Sequence, residues 1–261
     1  MLDFRIRGFV TPEDFTGTDS QRLQQALDFA AESDIRKVVL TGEYHAEQSL
    51  VIPAGMYLVL EGAKLYANLE NKKSCNFSFE QDRIYIQGGN IIGNLQFYHT
   101  RHVILENVQV HGDADFAFSR DMRIEQADIS GTLTLGRGCC NIIAQNLRLG
   151  ALQISSRKQQ DDVIGRDPTV RNIAVRDSQI AGIVSLTACE DFGLLNIQAD
   201  HCGAKQVIVG QENNLLPPEK FTNFTLCDLT LQQGVVLHNP CRNAHIQQCL
   251  PLREEHQEVT P

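Results

Sequence analysis

Asn172-Ile173-Ala174-Val175-Arg176-Asp177-Ser178-Gln179-Ile180 alternates apolar and polar residues between an Asn and an Asp set five apart. Alternation over this length is the period of a half-buried strand. The arrangement recurs in units taken to begin at Asp82, His102, Asp121, Asn141, Asn172, Asp191, Asn223 and Asn243, at spacings of 20, 19, 20, 31, 19, 32 and 20 residues. Five residues into each unit stand Gln87, Asn107, Gln126, Asn146, Asp177, Asn196, Asp228 and Gln248. Three residues in, every position is apolar or Tyr, from Tyr85 and Leu105 to Leu226 and Ile246.

Short strands joined at Asn, Asp and Gly corners with a period near 20 predict a single-stranded right-handed parallel β-helix, an all-β fold. One coil cannot bury its inner face alone, so coils stack at about 4.8 Å each and bury a continuous core. Corner Asn and Asp residues tolerate the left-handed backbone conformation and can bond their equivalents above and below. Both ends of such a stack need covering. Thr18-Asp19-Ser20-Gln21 reads as a capping box, followed by Leu23, Ala26, Leu27 and Ala30 on one helical face. A capping α-helix is therefore predicted over about residues 20–33, with coils from about 35 to 251. Residues 1–252 read as a single β-helix domain, and 253–261 as a polar, poorly ordered tail.

Composition narrows the function. Hydrophobic residues make up 42% and charged residues 21%, with no Trp, and the formal charge is −9. The scattered basic residues of an acidic chain argue against a nucleic-acid partner. No apolar run approaches the length of a membrane helix, so no membrane partner is expected. Residues 1–15 lack the apolar core of a secretory signal, which predicts a cytoplasmic protein with its eight Cys as free thiols. Cys139, Cys189 and Cys241 each stand two residues before a unit start, which predicts a ladder at one inner corner. His238, Cys241, His245 and Cys249 have zinc-like spacing, but the repeat already accounts for Cys241 and no metal site is assigned there. No cofactor is expected.

The stretches TGTDSQRLQQALDFAA (16–31), KVVLTGEY (37–44) and SLVIPAGMYLVLEGAKL (49–65) resemble the opening of polygalacturonase-like glycoside hydrolases, which have the pectin-lyase fold. Residues Ile154 to Ile180 resemble the loop and coil that follow the catalytic coil in that family. The resemblance implies a pectin lyase-like β-helix and an oligosaccharide or polysaccharide partner, of uronic-acid or related type. It also implies an inverting site built from N-T-D, D-D, H-G and R-I-K motifs. Aligned on Ile154 to Ile180, those positions fall on Ile129-Ser130-Gly131, Leu149-Gly150 and Ala181-Gly182, and no R-I-K follows. The catalytic carboxylates of the family are missing from their places.

Relocated acids are the remaining route to hydrolysis, since glycosidase carboxylates must lie about 5–9.5 Å apart. Candidates are Asp113 and Asp115, expected to face outward near His111, itself a substrate-binding candidate, while Ala114, Phe116 and Phe118 fill the core, and Asp200 with His201. Inserts at Ser155 to Pro168 and Gln211 to Lys220 break the period and are expected to wall one groove. The first brings Asp161 and Asp162 as further acids and Arg157, Lys158 and Arg166 as substrate-binding residues. Gln153 and Lys205 are expected to bind substrate beside them. Three functions follow: a divergent carbohydrate-active protein with relocated acids, a catalytically silent carbohydrate-binding relative, or a structural, homo-oligomeric (for example trimeric) assembly module.

Overall fold

A computed structural model describes residues 8–72, 83–156 and 167–251. The chain winds as a right-handed parallel β-helix with an N-terminal helix. Ten parallel strands, from Lys37–Leu40 to Arg242–Gln247, stack in strict sequence order as sheet A. The intervening segments stack as the larger sheet B, from Glu43–His45 to Leu250–Pro251. Parallel strands joined by crossovers take the right-handed connection almost without exception, and here every turn of the chain is such a crossover.

The alternation seen in the sequence becomes inside and outside. In the coil from Val103 to Ala117, Val103, Leu105, Val108, Val110, Ala114 and Phe116 are buried, while Ile104, Glu106 and Gln109 face out. Equivalent inner residues lie in register on successive coils. Phe97 stacks on Phe116 with centroids 5.6 Å apart and planes 9° apart, and Leu135, Ile154, Leu186 and Val209 continue that column. The buried residues form one continuous cluster from Val10 to Leu231. Phe118 departs from expectation: it turns out at a corner (φ 51) and stacks on His99, because the chain must reverse there to start the next sheet A strand.

From His102 onward two left-handed positions recur from coil to coil. One carries His102, Asp121, Asn141, Asn172, Asn196, Asn223 and Asn243, with φ between 53° and 57°. From Asn141 to Asn243 each amide donates to the side chain one coil earlier, at 2.7–3.1 Å. The other corner carries Asn107, Gln126, Asn146, Asp177, His201, Asp228 and Gln248. The sixth unit therefore begins at Asn196, not Asp191. Residues Ala188 to Gly193 form an extension between strands Gln179–Thr187 and Leu194–Asp200. The slip of five residues went undetected in the sequence because Asp191 and Asn196 satisfy the same corner pattern that Asn196 and His201 fill.

The correction also rewrites the cysteine ladder. Two residues before each corner stand Thr100, Ser119, Cys139, Val170, Leu194, Phe221 and Cys241, and Cys189 lies in the extension, where its thiol donates to the Ser156 carbonyl (3.6 Å). Thr100 and Ser119 share a buried hydroxyl–hydroxyl bond of 2.8 Å. Burial pushes the Cys139 thiol up to about 12, so it stays protonated. Seven described cysteines are free thiols.

The N-terminal end is closed as the capping box requires. Helix α1 (Asp19–Glu32) begins after Thr18, whose hydroxyl accepts from the Gln21 amide while Gln21 Oε1 accepts from Thr18 N–H at 3.0 Å. Leu23, Ala26, Leu27 and Ala30 are buried against the first coils. Outside the apolar stripe, Gln24 exchanges two hydrogen bonds with the Val51 backbone, and Val10 bridges Val38 at the edge of sheet A. These bonds occupy edge groups that would otherwise invite another chain. At the other end, Ile246 is 40% exposed although its register neighbour Leu226 is 1% exposed. Residues 253–261, the expected tail, lie outside the described residues.

Candidate functional site

The outer face of sheet B is bent, and the bend has a sequence cause. Inner residues Ile129, Leu149 and Ile180 are in register before it, and Leu133, Leu152 and Val184 after it. Three residues separate the first and third of these pairs but two separate the second, so the ladder slips at each bend. Gly112, Gly131, Gly150 and Gly182 stand at the bend on successive coils. Backbones approach closely there: a Cβ on Gly150 would lie 2.2 Å from the Ser130 carbonyl oxygen. Glycine is required by that approach.

A depression of about 610 Å³ opens beside the bend, with Gly150 in its lining. Asp128, Arg148, Gln179, Gly203 and Thr230 form one outward row along it, one residue before the inner apolar position of each coil. Ser130, Gly150, Ala181 and Gln232 line the far side. Arg148 is exposed and forms no ion pair with Asp128, its neighbour in register. Of the places that the family resemblance assigns to catalytic residues, Ile129-Ser130, Leu149-Gly150 and Ala181 fall within this lining, whereas Gly131 and Gly182 do not. The lining holds one carboxylate, Asp128.

A second depression of about 320 Å³ adjoins it beyond the bend, and gathers Asp113, Asp115 and Gln153 with Asn94, Thr132 and Thr134. The two acids differ in what holds them. Asn68 Oδ1 accepts from Asn94 N–H (2.9 Å), Asn94 Oδ1 from Asp113 N–H (2.8 Å) and Asp113 Oδ1 from Thr132 N–H (2.7 Å). Asp113 is thus one rung of a side-chain ladder that fastens successive coils. Asp115 accepts the Tyr98 hydroxyl at 2.8 Å, and burial together with that bond pushes the phenol up to about 12. Gln96, Asp115, Thr134, Gln153 and Ser185 make a continuous outward polar row.

The other predicted residues are dispersed. His111 is exposed at the bend and lines neither depression, and Lys205 is exposed on the coil of Gly203. Asp200 and His201 lie at a sheet A to sheet B corner, where the next coil brings Asp228 to them. Arg157, Lys158, Asp161, Asp162 and Arg166 lie outside the described residues. The second insert leaves after strand Gly203–Val209, at the far end of sheet B from the larger depression, and Asn239 pins it by bonds to Gln211 N–H and the Asn214 carbonyl. His238, Cys241, His245 and Cys249 do not gather: Cys241 donates to the Asn239 carbonyl, Cys249 to that of Leu226, and His245 pairs with Gln247. Asp128, Arg148, Gln179 and Asp228 escaped the sequence reading. For Asp128, Arg148 and Gln179 the signal was a polar residue seven places into the unit, just before the inner apolar one, whereas Asp228 stood at the fifth place and read as a corner alone.

Comparison with known proteins supports the architecture. A surface protein and adhesin of Streptococcus pneumoniae, PfbA, superposes with a TM-score of 0.56 at 10% identity, over 92% of this chain and 99% of its own. The catalytic domain of a GH87 alpha-1,3-glucanase in complex with nigerose gives 0.48 at 11% identity, over 93% of this chain and 57% of its own. At these identities the likeness concerns the path of the chain alone. No family model and no curated protein matches the sequence.

Proposed function

We propose that the protein binds a carbohydrate chain, an oligosaccharide or polysaccharide of uronic-acid or related type, along the outer bend of sheet B without hydrolysing it. One observation carries the reading: a groove with Gly150 in its floor, rimmed by Asp128, Arg148, Gln179, Thr230 and Gln232, takes in places that the family resemblance assigns to catalysis, yet holds a single carboxylate. Sugar hydroxyls need donors and acceptors in alternation, which amide, hydroxyl, carboxylate and guanidinium groups on successive coils provide. Hydrolysis needs two carboxylates at a set separation. The Arg148 guanidinium, without an ion pair among the described residues, suits a carboxylate on the sugar. The open, shallow form suits a chain lying across the coils.

Calorimetric titration with uronic-acid and neutral oligosaccharides, paired with a reducing-end assay, tests the reading. The expected result is binding of an acidic oligosaccharide without new reducing ends, weakened at least tenfold in Arg148→Ala. Turnover would show relocated acids, with Asp115 the first to substitute. A panel without binding at high ligand concentration would refute the carbohydrate reading and favour an assembly module.

A further inference from the structure

Corner residues of two successive coils meet two residues before Gly203 and Thr230, which line the larger depression. Asp200 ends a sheet A strand, His201 takes the left-handed corner that follows, and Asp228 takes the same corner one coil later. His201 Nδ1 lies 3.0 Å from Asp200 Oδ1, and Nε2 lies 3.7 Å from Asp228 Oδ2. A neutral imidazole carries one proton. Whichever nitrogen holds it, the other turns a lone pair toward a carboxylate. A cation bound between that nitrogen and the carboxylate makes the contact favourable.

One donor atom from each of the three residues lies within 4.8 Å of the others. A tetrahedral ion with bonds of about 2.0–2.2 Å wants donors about 3.3–3.6 Å apart, a contraction within reach of side-chain rotation. The side chains are 25%, 62% and 38% exposed for Asp200, His201 and Asp228, so an ion can enter and keep a position for water or ligand. Gly203 and Thr230, two residues beyond His201 and Asp228, line the depression. An imidazole with two carboxylates is a donor set for zinc and its neighbours, whereas calcium wants six to eight oxygens.

We infer that Asp200, His201 and Asp228 form a site for a divalent transition metal, zinc in the first instance, at the corner before the groove-lining Gly203 and Thr230. It holds the ion with three protein donors and leaves one position open to water or ligand. Metal binding by itself does not depend on the carbohydrate reading.

Titration calorimetry of zinc chloride into the full chain, stripped of metal beforehand, tests it, with cobalt(II) absorption as a second signal for tetrahedral coordination. His201→Asn suits the left-handed corner that Asn107 and Asn146 already take, so the variant keeps the fold. Expected are one zinc per chain, at least tenfold weaker binding in both His201→Asn and Asp228→Asn, and unchanged binding in Cys227→Ser. Absent zinc binding, binding equal to wild type in His201→Asn, or binding lost in Cys227→Ser alone would overturn the site. The last result would trace the metal to a thiol.

Discussion

Asn172 shows what one corner residue contributes. Its backbone is left-handed (φ 57), its amide donates to Asn141 at 2.9 Å, and its oxygen accepts from Asn196 at 2.8 Å. A non-glycine, non-Asn residue in that conformation costs about 1–2 kcal/mol. Asn172→Ala should therefore lower stability by about 2 kcal/mol and Asn172→Gly by clearly less, read as a shift in the urea midpoint. Equal losses would mean that the side-chain ladder, not the backbone, sets the cost. Tyr98 gives a pH effect. Its pKa is raised first by burial and then by its bond to Asp115, so the folded state favours the protonated phenol. The contribution is complete below the unfolded value near 10 and is lost as pH rises through about 12. Tyr98→Phe should flatten the fall in melting temperature between those pH values, as followed by circular dichroism.

At the scale of the element, the bend in sheet B rests on its glycines. Gly150→Ala would place a methyl 2.2 Å from the Ser130 carbonyl and push two coils apart at the floor of the depression. Overpacking of this kind costs about 1–3 kcal/mol, and the change should also weaken ligand binding. Thermal denaturation and calorimetry of the one variant check both; lost stability with unchanged binding would detach the floor from the site. Helix α1 illustrates the opposite case, an element whose role was legible early. Thr18, Gln21 and the stripe Leu23, Ala26, Leu27, Ala30 announce its start and its buried face, and the structure shifts its bounds by one residue.

The whole molecule is a column of inner residues that must match from coil to coil. Ile91, Val110, Ile129, Leu149, Ile180, Ala204 and Leu231 are in register, and Ala204 is the small member. A void of about 10 Å³ lies beside it, lined by Val175, Ile180, Val184, Ala199, Cys202 and other apolar groups. Such apolar space stays dry. Ala204→Val should fill it, suit the strand and raise stability by about 0.5–2 kcal/mol, measured by urea unfolding. A loss of stability would mean that the coils cannot spread to admit two methyl groups.

Periodic features belonged to the sequence: apolar residues every second position, Asn or Asp at left-handed corners, a capping box before an apolar stripe. Each depends on neighbours a few residues away, so the β-helix, its inner face and its N-terminal helix were legible without coordinates. The sixth coil was not, because two corner patterns five residues apart, at Asp191 and Asn196, differ only in how the chain pairs with the coils on either side. The depression over Gly150 and the meeting of His201 with Asp228 were likewise set by stacking. Their residues stand far apart along the chain and become neighbours only when each coil takes its register on the last.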